Sequence, residues 1–522
     1  MSLHHRRWGP SLLVVTTSLF TGVGCDEPRS RGDAFGFEDA SVPTFDASLP
    51  DAPGLDAAFP DGSVPPPLDA GHAPDAPSER RLAPGVTLEG LAIFQGVRVE
   101  LARGGVAVTP NAPVVAGRDA VVRAYVSASS YPRSIRGELE VRDGARVVAV
   151  HEASASIAQA SDDGVPASLL SFDVPASEIT PSTTFAARIV DAAGESPGPT
   201  HPAQLPRDGS GLSVGARDDG EGLHLVLVPL RWDGDGSGRL PDTSDAWLAT
   251  VRAVLTSLYP IVDLQIEVHA AVPYSGGLTW SGNVDFGDVN SVLMDLRMAD
   301  HAPARAYYYG IVAPDTSLDS YCGGSCVTGQ SYVADDPLDG DYRVGSGVDF
   351  GTEDSAWTLA HEVGHEHGRY HAPCDTSGAD ADYPYSGGEI GVWGYDPRTR
   401  TFLPPSGAYD FMGYCEPQWI SDYTWSAIFE RTLAVSALAA PRRDAFLVRV
   451  GGGTGVVVGR RSVATPHGPL APYTFLGRDG AVLLRGVAPA VRQSHTDERL
   501  VVMPLPPASA VAVRVDGTTL EL

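Results

Sequence analysis

His361-Glu362-Val363-Gly364-His365-Glu366-His367-Gly368-Arg369-Tyr370-His371 carries the spacing H-E-x-x-H-x-x-G-x-x-H. That pattern builds a three-histidine metal site with a base beside it. On a helix each residue advances the azimuth by about 100°, so His361 and His365 lie roughly 40° apart on one face and can share an ion. Glu362 falls about 100° from His361, too far round to be a ligand on the same line but close enough to act on water beside the metal. Gly368 lets the chain leave the helix in a conformation closed to residues with a side chain, and the turn returns His371 from another direction. Three neutral nitrogen donors leave the fourth position of a zinc ion open, the mark of a catalytic rather than a structural site. His367 sits about 200° from His365 and is expected to pack elsewhere.

Downstream lies Tyr409-Asp410-Phe411-Met412-Gly413-Tyr414-Cys415. Together the two stretches resemble the metzincin clan of zinc endopeptidases, over about residues 216 to 440. The resemblance implies that Met412 is the Met-turn residue, an apolar floor under the imidazoles. Tyr414 stands where the astacin- and serralysin-like branches carry a tyrosine that holds the oxyanion of the tetrahedral intermediate. It also implies that an extended peptide lies along an edge strand near Ser331-Tyr332-Val333. Ala372, after the third histidine, matches neither the acidic residue nor the serine of other branches. The tract His371-Ala372-Pro373-Cys374, with Trp419-Ile420-Ser421-Asp422-Tyr423, is similar to secreted or lipoprotein members from bacteria.

The chain has 522 residues, 65 acidic against 37 basic, a formal charge of −28 and no lysine. Such a surface argues against nucleic acid or anionic lipid as a partner. Arg6 and Arg7 followed by the apolar stretch Ser11–Val23 read as an export signal. Gly22-Val23-Gly24-Cys25 resembles a lipoprotein processing site, which would leave Cys25 to carry lipid and tether the protein to a bacterial membrane or cell surface; ordinary secretion is the alternative. The other four cysteines, Cys322, Cys326, Cys374 and Cys415, suggest two disulfides in an oxidising compartment, with three pairings open. Cys322–Cys326 and Cys374–Cys415 are the most economical; a structural zinc site at Cys322 and Cys326 is the rival reading. No cysteine lies between Cys25 and Cys322, which argues against a cysteine-switch segment upstream.

The expected architecture is multidomain: an α/β (α+β) catalytic domain flanked by an N-terminal β-sandwich and a small all-β domain. Residues 1–25 form the signal, and 26–85, rich in Asp, Pro and Ala, a flexible tether. Residues 86–215 alternate as short strands of immunoglobulin-like size, with Asp143-Gly144 as a hairpin turn. The zinc protease domain occupies 216–440. Leu223–Pro229 is its first buried strand, a helix runs from about Ser244 to Leu258, and the metal helix opens with a cap from Glu353, Asp354 or Ser355. Asp233-Gly234-Asp235-Gly236-Ser237-Gly238 offers oxygens to Ca2+ like half an EF-hand, yet position twelve is Ser244 in place of a bidentate glutamate, so a turn is the better reading. Residues 441–522 read as a C-terminal β domain in which no chemistry is visible.

These features point to a zinc endopeptidase acting on extracellular proteins, with His361, His365 and His371 as ligands and Glu362 as general base. The rivals are a surface adhesion lipoprotein that keeps the zinc fold without proteolysis, and a protease confined to glycoproteins.

Overall fold

The computed structural model describes residues 81–279, 282–323, 326–376, 378–435 and 442–522; the expected signal, Cys25 and the tether as far as residue 80 lie outside them. Leu82, near the end of the expected tether, is fully buried, and its amide donates to Glu195 O at 2.8 Å.

Two antiparallel sheets begin the described chain. Val86–Phe94 lies between Arg98–Arg103 and Ala120–Ala128 in one. Arg133–Asp143 lies between Arg146–Ile157 and Thr183–Val190 in the other. Leu88, Leu91, Val122 and Phe172 from the first meet Leu139, Val141, Phe185 and Ile189 from the second in one core. The expected hairpin forms, but its turn is Gly144-Ala145, one residue late: the register shifts between Val141 and Arg142, so Asp143 still pairs with Arg146.

A mixed sheet follows. Leu223–Trp232 is apolar almost throughout and is flanked in parallel by Leu264–Val268 and Ala306–Val312. Val344–Val348 continues the parallel order, and Gly329–Ser331 adds an antiparallel edge. Parallel strands buried on both faces read as continuous apolar runs, as this first strand does. The helix Asp245–Leu258 starts where Ser244 accepts from Trp247 N, and it buries Trp247, Val251, Val254, Leu255 and Leu258 at helical spacing.

The helix Glu353–Glu366 packs on Val344–Val348 and Gly329–Ser331. Its cap is Thr352, whose hydroxyl accepts from Ser355 N at 3.3 Å, one residue ahead of the three expected candidates. Glu353 and Asp354 occupy the first turn instead, where carboxylates favour the exposed amides. At the other end Gly368 has φ +79°, and its amide closes on His365 O at 2.8 Å. A side chain there would meet Ala334 O as well as a strained backbone. His367 turns away from the other imidazoles: it is 2 % exposed, stacks on Tyr307 and donates from Nδ1 to Val363 O.

Among the described residues, a seven-stranded antiparallel sheet closes the chain, with Arg499–Met503 between Arg442–Gly451 and Val482–Arg492. Val463, Val491, Leu500 and Val502 of this sheet share a core with Val226, Val228, Leu230 and Val344 of the mixed sheet. The disulfides join Cys322 to Cys326 and Cys374 to Cys415.

Two stability measurements follow from this packing. Burial holds the His367 imidazole down to about 3. As pH falls below about 6.5, the unfolded chain therefore takes a proton that the fold refuses, and stability present above that pH is lost progressively. Between pH 6.5 and 5 this one residue costs about 2 kcal/mol; His367→Phe, which keeps the stack, should lose that share of acid sensitivity in urea unfolding of the metal-free protein. Cys374 and Cys415 lie 41 residues apart. Replacing both by serine should cost about 4 kcal/mol through loop closure in the unfolded chain, read from the urea midpoint; a loss below about 1 kcal/mol would mean that the turn they join is held by its hydrogen bonds alone.

Candidate metal centre

The helix brings His361 and His365 to one face, and the turn at Gly368 returns His371 to meet them. His361 Nδ1 donates to Phe411 O at 2.7 Å and His365 Nδ1 to Arg369 O at 2.6 Å. Each of these imidazoles therefore carries its proton on the far nitrogen and turns an Nε2 lone pair inward. His365 Nε2 lies 3.1 Å from His361 Nε2 and 3.2 Å from His371 Nε2. Burial first, and the neighbouring imidazoles second, hold His365 well below its ordinary value. His361 falls to about 4 and His371 to about 2, again chiefly by desolvation. The bare nitrogens of His361 and His365, facing each other at this distance, have no proton to share. A cation between them and His371 satisfies all three, so the donor set fits a metal ion.

Met412, the residue expected to form a floor, packs against the helix. Met412 is 1 % exposed, and Gly364 on the helix is what admits it: a Cβ there would sit 2.4 Å from the methionine sulfur. Asp410, fully buried, holds the turn by accepting from Met412 N at 2.9 Å, Ser421 N at 3.0 Å and the Ser421 hydroxyl. Ala372 N then donates to Met412 O, tying the segment after the third histidine to the turn. Tyr414 brings its hydroxyl to 3.1 Å from His371 Nε2. Desolvation, and secondarily the Glu362 carboxylate, raise its phenol above the ordinary value, so it stays protonated and able to donate.

Glu362 is 1 % exposed and belongs to the same cluster, but its partners come from the far end of the chain. His495 Nε2 donates to Glu362 Oε1 at 2.6 Å, and the Ser494 hydroxyl donates to Glu362 Oε2 at 3.2 Å. His495 Nδ1 is hydrogen-bonded to the Tyr414 hydroxyl. Taking one nitrogen each, His361, His365, His371 and His495 lie within 4.8 Å of one another. The C-terminal sheet, in which the sequence shows no chemistry, thus supplies a fourth imidazole.

The expected strand edge is also taken. Val333 N donates to Arg492 O at 3.0 Å and Ser494 N to Ser331 O at 2.8 Å. The segment Ser331-Tyr332-Val333, where the resemblance implies an extended peptide, is thus already paired to the chain's own loop in this structure. Nothing in Arg492–Glu498 distinguishes it in sequence from a polar hairpin loop; only the position of the loop in space brings His495 to Glu362. Asp410 had a fainter signal, an acidic residue just before an apolar turn.

The family model described as Peptidase M66 matches residues 333–415, from this strand edge through the three histidines to Cys415. Dictomallein of Burkholderia pseudomallei (strain K96243) and dictomallein of Burkholderia mallei (strain ATCC 23344) are each 26% identical to the chain over 211 residues, covering 35% of it. The chain spans only 28% of the length of these curated relatives. The matched stretch contains three of the four clustered histidines, and the two together support a metal-dependent protease.

Proposed function

We propose that the protein is a zinc-dependent endopeptidase of metzincin type, with His361, His365 and His371 as metal ligands and Glu362 as general base. The observation that carries the reading is the convergence of three neutral Nε2 atoms, 3.1 and 3.2 Å apart where measured from His365, beside a buried carboxylate. Two nitrogens at about 2.0–2.1 Å from one zinc ion in tetrahedral geometry lie roughly 3.3 Å apart, close to that spacing. When bound, zinc supplies Lewis acidity toward the scissile carbonyl and toward water.

The chain's own groups do the rest. Glu362 takes the proton of the attacking water on a carboxylate oxygen and returns it to the departing amine, so that a peptide and water become an acid and an amine. The Tyr414 hydroxyl donates to the developing oxyanion. Asp410, holding the turn, positions Phe411 O against His361 Nδ1 and so keeps the imidazole in the ligating tautomer. The substrate is a protein outside the cell, reached from a lipid anchor at Cys25; loss of labelling by a fatty-acid probe in Cys25→Ser would test that placement.

Cleavage of an unfolded protein mixture should be abolished by chelator and restored by zinc. Glu362→Gln should retain one zinc per chain by elemental analysis while kcat falls by about 10²–10⁴-fold. Undiminished turnover with zinc bound would remove the base from its role. Tyr414→Phe should lower kcat by about 10²-fold with KM nearly unchanged.

A further inference from the structure

The hairpin joining Val482–Arg492 to Arg499–Met503 does three things at once at the proposed active site. Its main chain pairs with the edge of the mixed sheet, through Val333 N to Arg492 O and Ser494 N to Ser331 O. Side chains from both segments lock that pairing: Gln330 Nε2 donates to Ser494 O, Gln493 Nε2 to Gln330 Oε1, and Ser331 N to the Ser494 hydroxyl, each at 2.8 Å. Its tip then lays His495 over the other three imidazoles, with ring centroids 4.8 to 5.4 Å from theirs. His495 uses its Nε2 proton on Glu362, so Nδ1 is the nitrogen left to ligate, and a bound metal there takes the place of the Tyr414 hydroxyl as its partner.

The geometry points to His495 as a fourth metal ligand and to Arg492–Glu498 as an internal occupant of the substrate cleft. The inference rests on the metallopeptidase reading above. The hairpin takes the strand-edge place of an extended peptide, engages the base, and closes the metal's open position with the nitrogen that otherwise meets the phenol. The space left beside it is about 110 Å³, small against the roughly 300–1,000 Å³ of clefts that bury small ligands. His495 itself has φ +61°, a left-handed conformation that a non-glycine residue keeps only when its surroundings impose it.

Opening does not require the sheet to leave. Val491, Leu500 and Val502, in the flanking strands, are buried in the core shared with the mixed sheet. Thr496 and Asp497 at the tip are exposed, and no core residue lies between Ser494 and Glu498. The movement is therefore a lift of the tip about its two strands, which exposes the edge, frees Glu362 and opens the fourth position together.

The full chain loaded with Co2+ and titrated with acetohydroxamate, followed by visible absorption, tests this beside His495→Ala. Wild type should bind the probe at least about tenfold more weakly than the variant, as when closed molecules outnumber open ones by about ten to one. The variant should also hold Co2+ less tightly, show an altered d–d spectrum, and cleave unfolded protein faster. Equal probe affinity in the two proteins overturns the proposal, as does an unchanged cobalt spectrum. So does slower cleavage by the variant with probe affinity unchanged, which would make His495 a catalytic group and no occupant. In each of those cases, cobalt binding that His361→Ala abolishes leaves the metallopeptidase reading standing; failure of wild type to bind cobalt removes that reading and the proposal with it. Should His495→Ala misfold by circular dichroism, Ser494→Gly decides: it keeps all four histidines, loosens the tip, and must tighten the probe for the proposal to hold.

Discussion

Two hydrogen bonds to backbone carbonyls, His361 Nδ1 to Phe411 O and His365 Nδ1 to Arg369 O, set the rest of the site. A neutral imidazole carries one proton, and the carbonyl decides on which nitrogen it sits. With the far nitrogens committed, the near ones are bare, and bare nitrogens three ångströms apart suit a shared cation. The carbonyls themselves are placed by the turn at Gly368 and by the Asp410 network under Met412. The chemistry of the centre is thus imposed by backbone geometry some way from it.

The same constraint separates what could be read in the sequence from what could not. His361, Glu362, His365, Gly368 and His371 are near neighbours in the chain, and helix geometry relates them without knowledge of the fold. The start of the first helix near Ser244 was legible for the same reason, whereas Thr352 took the capping role expected of its three neighbours because capping geometry turns on a single residue. The slip of the hairpin turn to Gly144-Ala145 has a comparable origin, a bulge two residues away that composition does not announce. His495 is a different case. It meets Glu362 across 133 positions of chain, and only the docking of one sheet on another brings them together. A polar loop is indistinguishable from any other until its neighbours are known.

The flanking sheets are bound into the catalytic region by polar and apolar contacts. On the N-terminal side, Trp419 and Trp425 bury their rings and donate to Gly96 O and Pro113 O, at 2.8 and 3.0 Å. Arg118 reaches across to Tyr259 O and Ile261 O. On the C-terminal side a shared apolar core does the same. These contacts hold the helix, the turn and the hairpin in one frame, and donors placed to tenths of an ångström need such a frame.

The covered edge at Gly329–Ser331 has a bearing on colloidal behaviour as well as on catalysis. A bare edge strand presents unpaired amides and carbonyls to any passing chain, and natural sheets hide, charge or shorten such edges. This strand has only three residues, and the segment just beyond it is paired to Arg492–Ser494. A protein that keeps its own edge paired keeps a sticky surface out of contact with its copies. The same few hydrogen bonds that cover this edge also guard the molecules against joining edge to edge.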